Sequence, residues 1–587
     1  MTLRVPLLLA LAALITTSAT TTALAQHADV DARLRAQLAA EGLADVLVVY
    51  GDYPDLSGAY ALATKEEKGA YVYAALRQNA TRHRALTDAL SRAGVAHRNY
   101  WVANAVLVYG ADAERVRTLA SEPGVARLAA LPDWSLDVPD GAADPAHVRA
   151  LQARSAQLEW GLRYMGVPEA WAAGVRGAGA VVGGQDTGYD WDHPALKTKY
   201  RGYVRGDSAV HDYNWHDAVH ERSPLNDDDD NPCGFDVRAP CDDGSHGTHT
   251  MGTMVGSDGA NEIGVAPDAE WIGCRSMERG WGRPETYLEC FQWFVAPTDL
   301  DGENARPDLA PDVIANSWYC PLMEGCDSTT YPAFDNVIGA LRAAGVVVVV
   351  SAGNAGRNGC ATVNRIPAQS PGVIAVGAHD SLGVIADFSS RGSADAPADG
   401  VDLVAPGVAV RSSVPSDGYR FFNGTSMAGP HVAGVVALMV SARPELRGQV
   451  DTIEALLLRA ATYVPVSPDD TCSDPDGPNV TYGAGYAQAM RAVELAQAWG
   501  GVSGTASAKT WDVSVAPNPV DRGFTLVVPA EAVGGTLLVR DALGRPVWRQ
   551  AVGARRVEVL TGAWARGTYV YEVRNAAGVG VGRVVKR

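Results

Sequence analysis

The stretch Asn423-Gly-Thr-Ser-Met-Ala-Gly-Pro-His431, running on as an apolar helical segment to about Val440, decides how the chain is read. It sets the Ser426 hydroxyl at a helix N-terminus, where backbone N–H groups and the helix dipole favour developing negative charge. Outward from it, from Trp160 to about Trp499, short apolar runs alternate with helical segments. The runs are Ala180–Val182, Asp312–Ala315, Val346–Val350 and Val373–Val376. Runs of this kind belong to strands buried on both faces of a parallel sheet, so the expected fold is α/β, a parallel sheet flanked by helices.

Two more chemical residues stand at such boundaries. Asp186 closes Ala180-Val-Val-Gly-Gly-Gln185 and opens Asp-Thr-Gly, and His246 lies in Ser245-His-Gly-Thr-His-Thr-Met-Gly252. A serine hydroxyl is a poor nucleophile at neutral pH; it needs a base for its proton and a carboxylate to orient that base. Each fragment alone has a blander meaning. Asp-Thr-Gly also marks aspartic peptidases, but no second Asp-Thr-Gly or Asp-Ser-Gly occurs. His246 and His249 suit a metal, but without the glutamate of H-E-x-x-H. A lone Gly-Thr-Ser is often a turn. The three together, in the order Asp, His, Ser, favour nucleophilic catalysis.

Residues 160–500 resemble the subtilisin-like serine peptidases in four blocks. These are Asp186-Thr-Gly-Tyr-Asp-Trp-Asp-His-Pro194, His246-Gly-Thr-His-Thr-Met-Gly252, Val350-Ser-Ala-Gly-Asn354 and Gly424-Thr-Ser-Met-Ala-Gly-Pro-His431. The resemblance implies that Ser426 attacks the scissile carbonyl, His246 acts as base and then acid, and Asp186 orients His246. It implies an oxyanion hole from the Asn354 amide and the Ser426 N–H. It places substrate backbone along Ser317, Trp318 and Tyr319, and a specificity-pocket wall at Ser351, Ala352 and Gly353. It also implies a cis Ile366–Pro367 bond. The chain departs from the family at Tyr319, where glycine is usual, and at Gly183-Gly-Gln185, where the family is usually apolar, which reads as a local weakening. Ala195 stands where many relatives have a calcium-binding aspartate, and the loop after the histidine block is shortened. No cofactor is expected for catalysis. Clustered carboxylates in Asn226-Asp-Asp-Asp-Asp-Asn231 suit either a structural Ca²⁺ on Asp227, Asp228, Asp229 and Asp230 or a solvated acidic loop.

At 587 residues the chain exceeds one compact core. Residues 1–25 read as an export signal: Arg4, apolar Val5 to Ile15, then Ala23-Leu24-Ala25. The apolar run is short of the roughly 20 residues a membrane anchor needs. Residues 26–131 read as an α+β module, with strands at Val46–Tyr50, Val102–Tyr109 and Val125–Leu131 and helices at Lys65–Ala93 and Ala111–Ser121. Its place before the subtilisin-like segment resembles the family's inhibitory propeptide, with autocleavage expected in a linker at 132–159. After a second linker, 501–511, residues 512–587 are strand-like, an expected β-sandwich. Ala516-Pro-Asn-Pro519, Asp541-Ala-Leu-Gly-Arg-Pro-Val547, Gly567-Thr-Tyr-Val-Tyr571 and the basic Lys586-Arg587 end resemble the sorting domain of type IX secretion, which implies delivery across an outer membrane and the secretion machinery as a partner. A permanent accessory domain and a generic surface-binding sandwich are the respective alternatives.

The net charge of −18 argues against nucleic acid, which needs concentrated Lys and Arg. Eight cysteines without a C-x-x-C pair suit an oxidising compartment and disulfides rather than zinc. Proximity favours Cys320 with Cys326 and Cys233 with Cys241; the rest stay open among 105 pairings. The expected function is secreted serine endopeptidase, acting on protein or peptide substrates through an acyl-enzyme and made as an autoprocessed zymogen. The competing reading is a non-enzymatic scaffold that keeps the fold.

Overall fold

The computed structural model describes residues 28–131, 158–226, 231–259, 261–321, 326, 331–392, 400–473 and 479–500, and most of 509–586. The export signal, the Asp227–Asp230 run and most of both linkers lie outside the described residues, as do parts of the C-terminal motifs.

The centre of the molecule is a seven-stranded sheet in which every neighbouring pair is parallel. Across the sheet the strands are Leu403–Pro406, Ile374–His379, Val347–Ser351, Val313–Asn316, Val181–Asp186, Glu270–Arg275 and Trp215–Asp217. The four apolar runs form four of these strands, shifted by a residue or so toward the C-terminus. The other three lie outside those runs, although Leu403-Val-Ala405 is itself a short apolar one. Leu403–Pro406 ends on a proline, tolerated because it is an edge strand. Trp215–Asp217 is the short opposite edge. Glu270–Arg275 is interrupted by Gly273 and ends on a fully buried arginine, which pairs with Asp217 at 3.6 Å and Asp243 at 3.3 Å.

Gly183 and Gly184 are not a weakness. A Cβ on Gly183 would meet the Phe294 ring at 2.8 Å, and one on Gly184 the Tyr189 hydroxyl at 2.5 Å. The bare backbone is what lets large side chains close on both faces of the central strand. Gln185 is spent on the sheet as well, donating to Asn316 Oδ1 at 2.8 Å.

Helix Thr425–Ala442 lies against the sheet with almost every residue buried. It is the one helix among the described residues long and apolar enough to cross a membrane, yet 89% of it is packed inside the protein. Four disulfides link Cys233–Cys241, Cys320–Cys326, Cys274–Cys290 and Cys360–Cys472, the first two as proximity favoured. The Ile366–Pro367 bond is cis.

Residues 28–131 form a five-stranded sheet ordered Asp29–Val30, Val125–Ala130, Leu43–Tyr50, Ala105–Asp112, His97–Tyr100, with helices Ala32–Glu41, Lys65–Asn79, Arg84–Arg92 and Ala113–Ala120. The expected single helix Lys65–Ala93 is broken by a 3₁₀ turn at Ala80–His83. The cause is tertiary: buried His83 bonds Asn99 and Asn104, and Asn79 donates to the same Asn104 oxygen at 2.8 Å. This unit packs on helices Pro284–Val295 and Tyr331–Ala343, sharing an apolar core through Leu47, Trp101, Val102, Tyr287, Phe291 and Phe334. Tyr53 donates to the Asn336 carbonyl at 3.0 Å, and Arg98 pairs with Glu289 at 2.6 Å.

The C-terminal residues form a five-stranded and a three-stranded sheet around Trp511, Phe524, Leu537, Val559, Tyr569 and Tyr571.

Candidate active site

Ligands of open parallel sheets bind beyond the carboxyl ends of the strands, and the candidate residues gather there. Asp186 is the last residue of the central strand Val181–Asp186; Ser317 and Asn354 follow the strands ending at Asn316 and Ser351. His246 opens helix His246–Val255 and Ser426 is the second residue of Thr425–Ala442; the two helices pack together.

Asp186 and His246 are joined directly. The His246 Nδ1–H lies 2.7 Å from Asp186 Oδ1 and 3.0 Å from Oδ2. The carboxylate side chain is 2% exposed and the imidazole 29%, so the far side of the ring looks outward. Asp186 also accepts from the Thr187 N–H at 2.8 Å and the Thr250 hydroxyl at 3.3 Å, which fixes its plane. Burial by itself would lower the basicity of His246. The Asp186 charge and hydrogen bond outweigh it, and the imidazole pKa is raised above its ordinary value.

Ser426 is engaged elsewhere. Its hydroxyl donates to the Ser317 carbonyl at 3.1 Å, while the Ser317 hydroxyl donates to the Ser426 carbonyl at 2.9 Å. Among the described residues no hydrogen bond joins Ser426 to His246. Such bonds are often long or misaligned before substrate arrives.

Asn354 is exposed, and its orientation is dictated from one side. Its Oδ1 accepts from the Thr425 N–H and the Thr425 hydroxyl, both at 3.0 Å, and that hydroxyl accepts from the Gly353 N–H at 3.2 Å. With the oxygen committed to two donors, the amide NH₂ must point the other way. Ser426 lies in the first helical turn, where an N–H has no carbonyl one turn back to bond. Two donors therefore remain for an oxyanion. Asn354→Ala is expected to lower kcat about 10²–10³-fold with little change in KM. Thr425→Val, which removes the hydroxyl's bonds to Asn354 and from Gly353 and leaves only the Thr425 N–H to hold the Asn354 amide, is expected to lower kcat by about five- to tenfold, roughly the worth of one hydrogen bond on that amide. Steady-state kinetics on one peptide substrate checks both.

Among the other expected substrate contacts, Ser317, Ser351 and Ala352 are buried and Gly353 and Tyr319 partly so. The Trp318 indole is turned inward, stacked on Tyr287 at 3.7 Å with planes 6° apart. His249 does not join His246 at a metal. It is fully buried, and its Nε2 faces the Val410 and Arg420 carbonyls, both at 3.1 Å; burial and the neighbouring His246 push its pKa down to about 3.

Sequence reasoning missed Asp242. One of its oxygens accepts from the Thr187 hydroxyl at 2.7 Å and the Gly244 and Ser245 N–H groups at 2.9 Å; the other accepts from Thr248 N–H at 2.9 Å and the Thr248 hydroxyl at 2.5 Å. It ties the aspartate block to the start of the histidine helix. An acid just upstream of a helix start was the available signal. Thr187, Thr250 and Thr425, also unassigned from sequence, stand inside the quoted blocks.

Among the described residues no group of three or more His, Cys, Asp or Glu is arranged to hold a metal ion. Ala195, fully buried, brings no carboxylate to the place where many relatives have the calcium aspartate, so the residues there do not fit that ion.

Fold and site together define a serine peptidase built on a parallel α/β sheet. The profile of the Subtilase family matches residues 177–485, just over half of the chain, and the chain belongs to that family. It is 39% identical over 344 residues to bacillopeptidase F of Bacillus subtilis (strain 168), a match covering 57% of this chain and 22% of that protein. It is 28% identical over 335 residues to subtilisin E of the same organism, covering 57% and 70% of the two chains. To the subtilisin of Bacillus pumilus it is 30% identical over 289 residues, covering 49% and 86%.

Proposed function

We propose that the chain is a secreted serine endopeptidase, made as a zymogen that processes itself, with Ser426 as nucleophile, His246 as base and Asp186 as its orienting carboxylate. The observation that carries the reading is the Asp186–His246 pair at 2.7 Å, held at the carboxyl edge of the sheet on which Ser426 and Asn354 also gather.

Catalysis begins when the Ser426 hydroxyl leaves the Ser317 carbonyl and turns to His246. His246 takes the proton as Oγ attacks the peptide carbonyl, and the charge reaching the carbonyl oxygen is met by the Asn354 amide and the Ser426 N–H. His246 then gives its proton to the departing amine, leaving an acyl-serine that water hydrolyses by the reverse sequence. None of these steps needs a cofactor.

Residues 26–131 serve as the inhibitory propeptide. The apolar seat of residues 28–131 on helices Pro284–Val295 and Tyr331–Ala343, together with the Arg98–Glu289 pair, supports a tight intramolecular complex. Cleavage falls within 132–159. Residues 512–587 act as a type IX sorting module, a reading supported by the order of their motifs.

The test compares precursor 26–587 with its Ser426→Ala form at neutral pH, followed by intact mass. The parent is expected to shed a fragment of about 12–15 kDa, roughly 110 Da per residue of the propeptide and some or all of the linker, while the alanine form stays whole. Two precursors that behave alike would move the non-enzymatic scaffold ahead.

A further inference from the structure

We propose that the loop following the histidine helix, described at residues 256–259 and 261–263, is fastened by the chain's own cations, Lys199 and Arg411, at the place where the family resemblance puts a calcium aspartate.

Ala195 holds this loop through its backbone, its carbonyl accepting from the Ser257 N–H at 3.0 Å. Four residues on, half-buried Lys199 sends its ammonium to the Ser257 carbonyl. Ser257 is thus gripped on both sides of its peptide by one short segment. Arg411 grips the other end: its guanidinium donates to Asn261 Oδ1 at 2.6 Å, reaches Glu159 Oε1 at 3.4 Å and lies 4.4 Å over the Tyr419 ring. Glu159 is in the segment that enters the peptidase unit from the linker, and its N–H donates to the Glu262 carbonyl at 3.3 Å. One guanidinium therefore joins that segment, the loop and the strand pair Val410–Val414 and Gly418–Phe422.

The carboxylates of the loop are also answered by protein groups. Asp258 accepts from the Asn261 N–H at 2.6 Å, the Asn261 amide at 2.8 Å and the Tyr419 hydroxyl at 2.6 Å. Glu262 lies 3.8 Å from Arg176, which also pairs with Asp268 at 3.3 Å. Calcium takes six to eight oxygen ligands. Here the Asp258 oxygens face N–H and O–H donors, Glu262 sits opposite a guanidinium without a hydrogen bond to it, and a divalent ion beside Lys199 would meet like charge. The loop gets its positive charge covalently, so its order is independent of calcium.

Hydrogen exchange read by mass spectrometry on peptides covering 256–263 tests this in the full chain carrying Ser426→Ala, so the readout needs no peptidase activity. In that parent, exchange is expected to be the same in EDTA and in millimolar CaCl₂. Lys199→Ala is expected to speed exchange in these peptides about ten- to a hundredfold, the loss of one charged hydrogen bond, while Lys199→Arg stays within about threefold of the parent. Faster exchange of the parent in EDTA would overturn the proposal. So would a Lys199→Ala chain whose loop exchanges like the parent's.

Discussion

Ser426→Ala is expected to lower casein hydrolysis by about 10⁶-fold in kcat. Nucleophile and base act as a unit, so removing Oγ forfeits proton transfer as well as bond formation, and only the oxyanion donors and substrate binding remain. The fold should be untouched. Ser426 is half-buried, its Oγ makes one exchangeable bond to the Ser317 carbonyl, and the reciprocal Ser317 hydroxyl bond goes to the Ser426 backbone, which alanine keeps. Matched melting curves with activity lost would place the effect in chemistry.

Asp186→Asn is the second large effect, about 10⁴-fold in kcat, because an amide presents its NH₂ as readily as its oxygen and no longer selects the His246 tautomer. The variant also makes a prediction in pH. His246 must be neutral to act as base, so activity falls as pH drops through its pKa. In the parent that pKa is raised, because Asp186 outweighs burial, and the acid limb lies above 6.5. Removing the carboxylate charge leaves burial in control, and the limb of the residual activity should move to lower pH. The pH profile of kcat/KM for the two enzymes measures this. A limb that does not move would mean that Asp186 does not set the basicity of His246.

How far the sequence carries can be seen in particular residues. The four apolar runs were legible because strands buried on both faces have no room for polar residues. Trp215–Asp217 and Glu270–Arg275 were hidden because their buried charged groups, Asp217 and Arg275, come together as an ion pair at 3.6 Å only in three dimensions. Gly183 and Gly184 read as weakness until Phe294 and Tyr189 are seen to lie over them. Within the site, Asp186, His246, Asn354 and Ser426 stood out because motif and strand–helix context agreed. Asp242 did not, since its work is to collect donors from Thr187 and from the turn before His246, a role that only folding creates. The helix break at Ala80–His83 is likewise set by Asn104, some twenty residues away in sequence.

The most direct measurement is intact-mass analysis of the matured enzyme after treatment with diisopropyl fluorophosphate, with peptide mapping of the adduct. The account predicts one diisopropylphosphoryl adduct per chain, on Ser426 Oγ with fluoride released, forming in step with the loss of casein hydrolysis. Hydrolysis that persists in fully labelled enzyme, or an adduct on another residue that tracks the loss, would contradict it.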